Sequence, residues 1–367
     1  MTENRPTHSA AGVVYVVATL VGWASILLFL KQLSPYMDGW TSNGWRYGIS
    51  ALLWLPLLVV GGRRGTLPEG IWRRALWPAV FNCVGQACFA LTPYYIGAGL
   101  AGFLMRVSTL FSTAGALLLF ADERPLVRSP LFWVGMILVV GGSTGTIFLG
   151  AAPIVGGAAV GIILGVCAGA FFGLYGLAVR YWMRGIPAMT SFAAISLYTA
   201  VGLVGMMVIE SPTKGMCVFE MSFFNWFLLV SSALIGIALG HVFYYAAIAR
   251  LGVAIASGII QLAPFLCAAG SMALFGEKLT AEQWGSGLVM LLGAFVLLKA
   301  EQRRRQGWEA SRTAGPIELE DAGDPTAISE GPLADRLISN ERAVNDLAEL
   351  GLAARGAGPL RRQPPRS

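Results

Sequence analysis

A chain of 367 residues with 56% hydrophobic and only 13% charged residues has too few charges to cover a water-facing surface, where about 25% is usual. The mean hydropathy is +0.65, and up to Ala300 the charges sit at the ends of long apolar runs, which excludes an ordinary soluble fold for that stretch. The net charge of +6 comes from arginines between the runs, so it does not argue for a nucleic-acid partner.

A hydrocarbon core roughly 30 Å thick is crossed by about 20 apolar residues in a helix. Runs of that length predict helices over 12–31, 42–61, 75–96, 98–120, 130–149, 155–179, 187–209, 223–249, 252–275 and 282–299. The first run exceeds the usual signal-peptide core of about 7–15 residues and is read as a retained helix. The stretch 75–120 is too long for one span and is divided at Pro93, Gly97 and Gly99. Ser129-Pro130 reads as N-cap and first residue of helix 5, and Thr280 with Gln283 as a capping box for helix 10. In helix 6, Gly157, Gly161, Gly165, Gly169 and Gly173 form a bare stripe at four-residue spacing. Such a stripe suits close helix packing inside one monomer, with a homodimer face as the alternative. From Glu301 onward the composition is that of disorder, apart from Arg303-Arg304-Arg305, suited to anionic lipid, and a stripe of Leu333, Leu337, Val344 and Leu347.

Alternating the helices across a bilayer puts fourteen Lys and Arg on one side and three (Lys31, Lys214, Lys278) on the other. The arginine-rich side is the cytoplasm. The chain also repeats: Lys31 recurs as Arg180 and Thr41-Ser42 as Thr190-Ser191, 149 residues on. Tyr94-Tyr95 recurs as Tyr244-Tyr245, Gly135 and Gly141 as Gly287 and Gly293, and LLLFADE (Leu117–Glu123) as SMALFGE (Ser271–Glu277). Five helices per copy is odd, so the second copy is inverted, an arrangement whose substrates bind between the halves near the midplane. The expected fold class is all-α integral membrane: ten transmembrane helices as two inverted five-helix repeats, with a largely disordered cytoplasmic C-terminal tail. The corresponding domains are an N-terminus (1–11), the repeats (12–149 and 150–300) and the tail (301–367).

Tyr244–Phe295 resembles the drug/metabolite transporter superfamily in its EamA-type form: a helix end, "RLG", a helix with a central Pro264, then "GE" and a Gly-rich last helix. The first half is a weaker version, with Thr109 near the place of the proline and Asp122-Glu123 in place of Gly-Glu. The resemblance covers about residues 12–299. It implies ten helices, both termini cytoplasmic and a cavity lined largely by helices 3, 4, 8 and 9, without identifying a substrate. A bacterial inner (plasma) membrane is the expected location.

Candidate substrate-binding residues are the polar and aromatic groups at depth. Arg106 lies about eight residues into helix 4, some 12 Å from its end. It needs a wet cavity, a partner or a route for snorkelling to the headgroups, because a buried charge in a bilayer is costly. Arg46 is shallower in helix 2, where snorkelling competes more strongly. Gln261 falls opposite Arg106 in the repeat, and Asn82 and Gln86 share one face of helix 3. Trp23 and Tyr175 occupy related places in helices 1 and 6. His241, which titrates near neutrality when unperturbed, and Pro264 are candidates for a gating or proton-linked role.

No Asp or Glu lies mid-helix, so the usual carboxylate proton relay is missing. The five cysteines have no metal-type spacing, and neither a metal nor another cofactor is implied. A transporter of small metabolites is expected, with the bilayer and a small-molecule substrate as partners. The mid-helix arginines favour a carboxylate-bearing compound such as an amino acid over a cationic drug. An intramembrane enzyme would need a nucleophile and base at depth, where His241 stands alone. A membrane scaffold or sensor rests only on the tail, whose partner is unknown, and the glycine stripe.

Overall fold

The computed structural model describes residues 10–150, 156–251 and 253–313, so Arg5 and the stripe Leu333, Leu337, Val344 and Leu347 lie outside the described residues. Within them the chain is helical, and ten helices are long and apolar enough to cross a membrane. These are α1 (Ala10–Leu33), α2 (Gly39–Arg63), α3 (Ile71–Tyr94), α4 (Ala98–Leu119), α5 (Pro130–Phe148), α6 (Gly157–Trp182), α7 (Ala188–Glu210), α8 (Phe223–Ile248), α9 (Gly258–Phe275) and α10 (Ala281–Arg304).

Local chemistry explains the ends. Asp38 caps α2 by accepting from the Thr41 amide at 2.9 Å and the Thr41 hydroxyl at 2.8 Å, so the helix starts at Gly39 rather than at the first apolar run. The Thr280–Gln283 box forms in both directions, at 3.0 and 3.1 Å. Ser129 occupies the cap position before Pro130, but its hydroxyl makes no capping bond. The last helix runs on from Ala281 to Thr313, past Glu301. The polar composition after Ala300 therefore does not end the helix.

The extensive packing joins one half of the chain to the other. α2 lies on α7, α3 on α6 and α7, α1 on α8 and α9, and α4 on α6 and α9. Close approach of Gly135 to Leu297 and the Gly293 carbonyl, and of Gly142 to Met290, brings α5 onto α10. Matching α1–α5 with α6–α10 maps these contacts onto themselves: α3–α6 becomes α8–α1, α4–α6 becomes α9–α1, and α3–α7 becomes α8–α2. The glycine stripe takes part in this packing. A Cβ at Gly165 would meet Leu104 at 2.6 Å, and one at Gly173 would meet the Ser108 carbonyl at 2.7 Å. α4 of the same chain fills the stripe from Gly165 to Gly173, and Tyr95 and Ile96, just before it, cover Gly157 and Gly161.

Three helices are irregular along their length. α4 passes through a 3₁₀ turn at Met105–Val107. In α9, a helix ending at Ile260 gives way to a turn at Gln261 and Leu262 before resuming at Ala263, where Pro264 offers no backbone donor. The two counterpart helices are thus both interrupted, although only one contains proline. α8 winds as a π-helix over Ser232–Leu239, just before His241.

Candidate functional site

The irregular segments surround one cavity of about 350 Å³, reached by helices of both halves. α1 supplies Trp23, α2 supplies Arg46, α3 supplies Asn82 and Gln86, and α4 supplies Arg106. α6 contributes Tyr175, α8 contributes His241 and α9 contributes Pro264. Eight of the nine residues singled out from the sequence therefore share one wall. The ninth, Gln261, stands beside it and accepts a hydrogen bond from Arg106 Nη1 at 2.7 Å. The two repeat counterparts thus meet each other directly.

Each polar group has a distinct setting. Arg46 is 1% exposed, and none of its three guanidinium nitrogens has a hydrogen-bond partner among the described residues. α2 starts at Gly39, three residues earlier than its hydropathy suggests, and packs on α7 and α8, so Arg46 sits in the protein interior. Asn82 donates to Tyr47 Oη at 3.3 Å and to Thr199 Oγ1 at 3.1 Å, tying α2, α3 and α7 together. Gln86 leaves its side-chain oxygen buried and unpartnered, while its main-chain oxygen accepts from Asn43 at 2.6 Å. His241 is 3.0 Å from the Ile237 carbonyl through Nδ1, and its ring stacks on Phe192 at 4.3 Å and meets Trp23 edge-on at 5.5 Å.

Apolar and aromatic groups fill the rest of the wall, among them Tyr47, Phe89, Met105, Phe172 and Cys267. Sequence reasoning missed these. Phe89 continues the face of Asn82 and Gln86, and Phe172 lies one turn before Tyr175, so helical spacing could have found both. Among the described residues no carboxylate lies on the wall. A polar group or anion entering this space would meet donors in an otherwise apolar and aromatic surround.

The EamA-like transporter family matches residues 10–148 and then residues 159–299. The chain belongs to that family. An EamA-like transporter carries small molecules across a membrane, and here the cavity opens between the two matched segments. A solved structure described only as "Crystal structure of protein" is similar in fold, with a TM-score of 0.54 at 15% identity, covering 80% of this chain and 98% of that one. None of the curated proteins matches this EamA-like sequence.

Proposed function

We propose that this protein moves a small metabolite, an amino acid or another carboxylate-bearing compound, by alternating access through the cavity between its repeats. The observation that carries this reading is Arg46, a wholly buried guanidinium on the cavity wall with no acceptor among the described residues. Leaving a charge in that state costs several kcal/mol. A carboxylate removes much of the penalty by accepting two parallel hydrogen bonds from the guanidinium fork. The unpartnered Gln86 oxygen suits a donor on the same molecule, such as an ammonium group. The volume of about 350 Å³ is at the small end of the roughly 300–1,000 Å³ range of ligand pockets, which favours a metabolite over a bulky drug. A cation would meet like charge from both arginines, which ranks drug export second. An enzyme reading has no comparable support, since His241 is engaged with its own helix backbone and aromatic neighbours. The arginine asymmetry of the loops supports cytoplasmic termini in a plasma membrane.

Liposome uptake of a labelled pool of amino and keto acids, against a pool of amines of similar size, tests the assignment. Wild-type protein should favour the acids. Arg46→Gln should cut acid uptake at least tenfold, and Arg46→Lys, which keeps charge but loses the fork, should fall between. Unchanged acid uptake by correctly inserted Arg46→Gln would remove the carboxylate assignment.

A further inference from the structure

Ion pairs close the two faces of the molecule in matching ways. On the face carrying the α1–α2 and α9–α10 loops, Lys31 Nζ lies 3.5 Å from Glu277 Oε1 and donates to the Pro93 carbonyl at 3.0 Å. Glu277 is also held by the Ser271 hydroxyl and abuts Gly97, where a Cβ would come within 2.6 Å of its carboxylate. On the opposite face, Arg180 Nη1 lies 2.6 Å from Glu123 Oε1, and Arg304 approaches Glu123 Oε2 at 3.2 Å. Arg180 also sits 4.0 Å above the Phe120 ring.

These residues are repeat counterparts. Lys31 ends α1 as Arg180 ends α6, and Glu123 follows α4 as Glu277 follows α9. Each cation pairs with the carboxylate of the other half. The fold has therefore built one cross-repeat latch twice, once per face, with the cavity between them at the interruptions of α4 and α9.

We infer that the Lys31–Glu277 and Arg180–Glu123 pairs are alternating latches, one of which must break for the cavity to open to its face. This rests on the alternating-access reading above. Both latches are closed in this structure, as an occluded state requires. The two differ in strength of hold. Glu123 is almost fully buried and has two arginine partners, whereas Lys31 and Glu277 are partly exposed, at 29% and 23%. The lysine pair, 3.5 Å apart and partly exposed, is worth little in water. The buried Glu123 carboxylate is held at 2.6 Å by Arg180, itself 36% exposed, and at 3.2 Å by Arg304, and these two charge-assisted contacts hold more firmly. Among the unliganded states, opening at the Lys31 face is then favoured.

Cys267, on the cavity wall and buried, is a reporter of opening. The test is its labelling rate by a membrane-impermeant thiol reagent, applied from one face at a time, in full-length protein whose other four cysteines are replaced by alanine. Glu277→Gln should raise labelling from the Lys31 face several-fold and leave the other face unchanged or slower. Glu123→Gln should do the reverse. Equal gains from both faces in either variant, or no change in a variant that elutes and melts as a folded protein, would show that the pairs are static struts. A reporter accessible from neither face in all three proteins counts equally against the latches. The measurement uses no substrate, so it tests the latches even in a protein that carries no carboxylate.

Discussion

Arg46 and Arg106 lie seven and eight residues into their helices, so depth along the helix does not separate them. Their surroundings do. Arg106 has a neutral amide at 2.7 Å, supplied by its counterpart Gln261, and Arg46 has none. The sequence made Arg106 the stronger candidate, because helix limits drawn from hydropathy put Arg46 nearer the surface. The missing information was the Asp38 cap, which adds three residues to the start of α2. Asp38 was visible as a charge before an apolar run, and its capping geometry was the part that needed coordinates. The Arg106–Gln261 bond also makes a quantitative expectation. Hydrogen bonds to charged groups contribute about 1.5–3 kcal/mol, so Gln261→Leu should lower thermal stability by about that amount. In an Arg106→Gln background the same change should cost much less. Melting curves of the four proteins in detergent measure the coupling; an equal cost in both backgrounds would mean that the contact contributes nothing.

At the scale of elements, hydropathy and spacing located all ten spans, because each must satisfy the same roughly 30 Å length requirement. Interruptions within spans were harder to read. Pro264 announced the break in α9, but nothing comparable marks Met105–Val107, where the break matches a counterpart across the repeat rather than a local signal. The glycine stripe was legible as a packing surface, though its occupant was not. α4 fills it so closely that the Leu104 side chain, the Ser108 carbonyl and the Ser112 amide lie within 3 Å of would-be Cβ positions. Gly165→Leu should therefore overpack the α4–α6 contact and cost about 1–3 kcal/mol. Because α4 also carries Arg106, transport should fall more than the loss of folded protein accounts for. A variant that melts and transports like wild type would mean that this face of α6 tolerates bulk and does not set the position of α4.

At the scale of the whole molecule, the near-constant offset of 149 to 154 residues between matching pairs signalled a duplication, and the odd helix number required its inversion. The packing carries the same symmetry, since each extensive contact has a partner contact under exchange of the halves. The cavity itself could not be drawn from the sequence, because its wall joins residues from seven helices that no local pattern links. The proposed orientation in the membrane rests on a different property, the fourteen-to-three division of Lys and Arg between the two sets of loops. Positive residues are retained on the cytoplasmic side during insertion. A single added cysteine in the Arg63–Arg74 loop should therefore label only after the membrane is permeabilised. Cysteines placed beside Lys214 and Lys278 should label in intact cells. The Arg63–Arg74 loop follows α2 and the Lys278 loop follows α9, so in an inverted pair of five-helix repeats they face opposite sides. If both label from the same side, the second half is not inverted relative to the first, and the two latches cannot guard opposite faces.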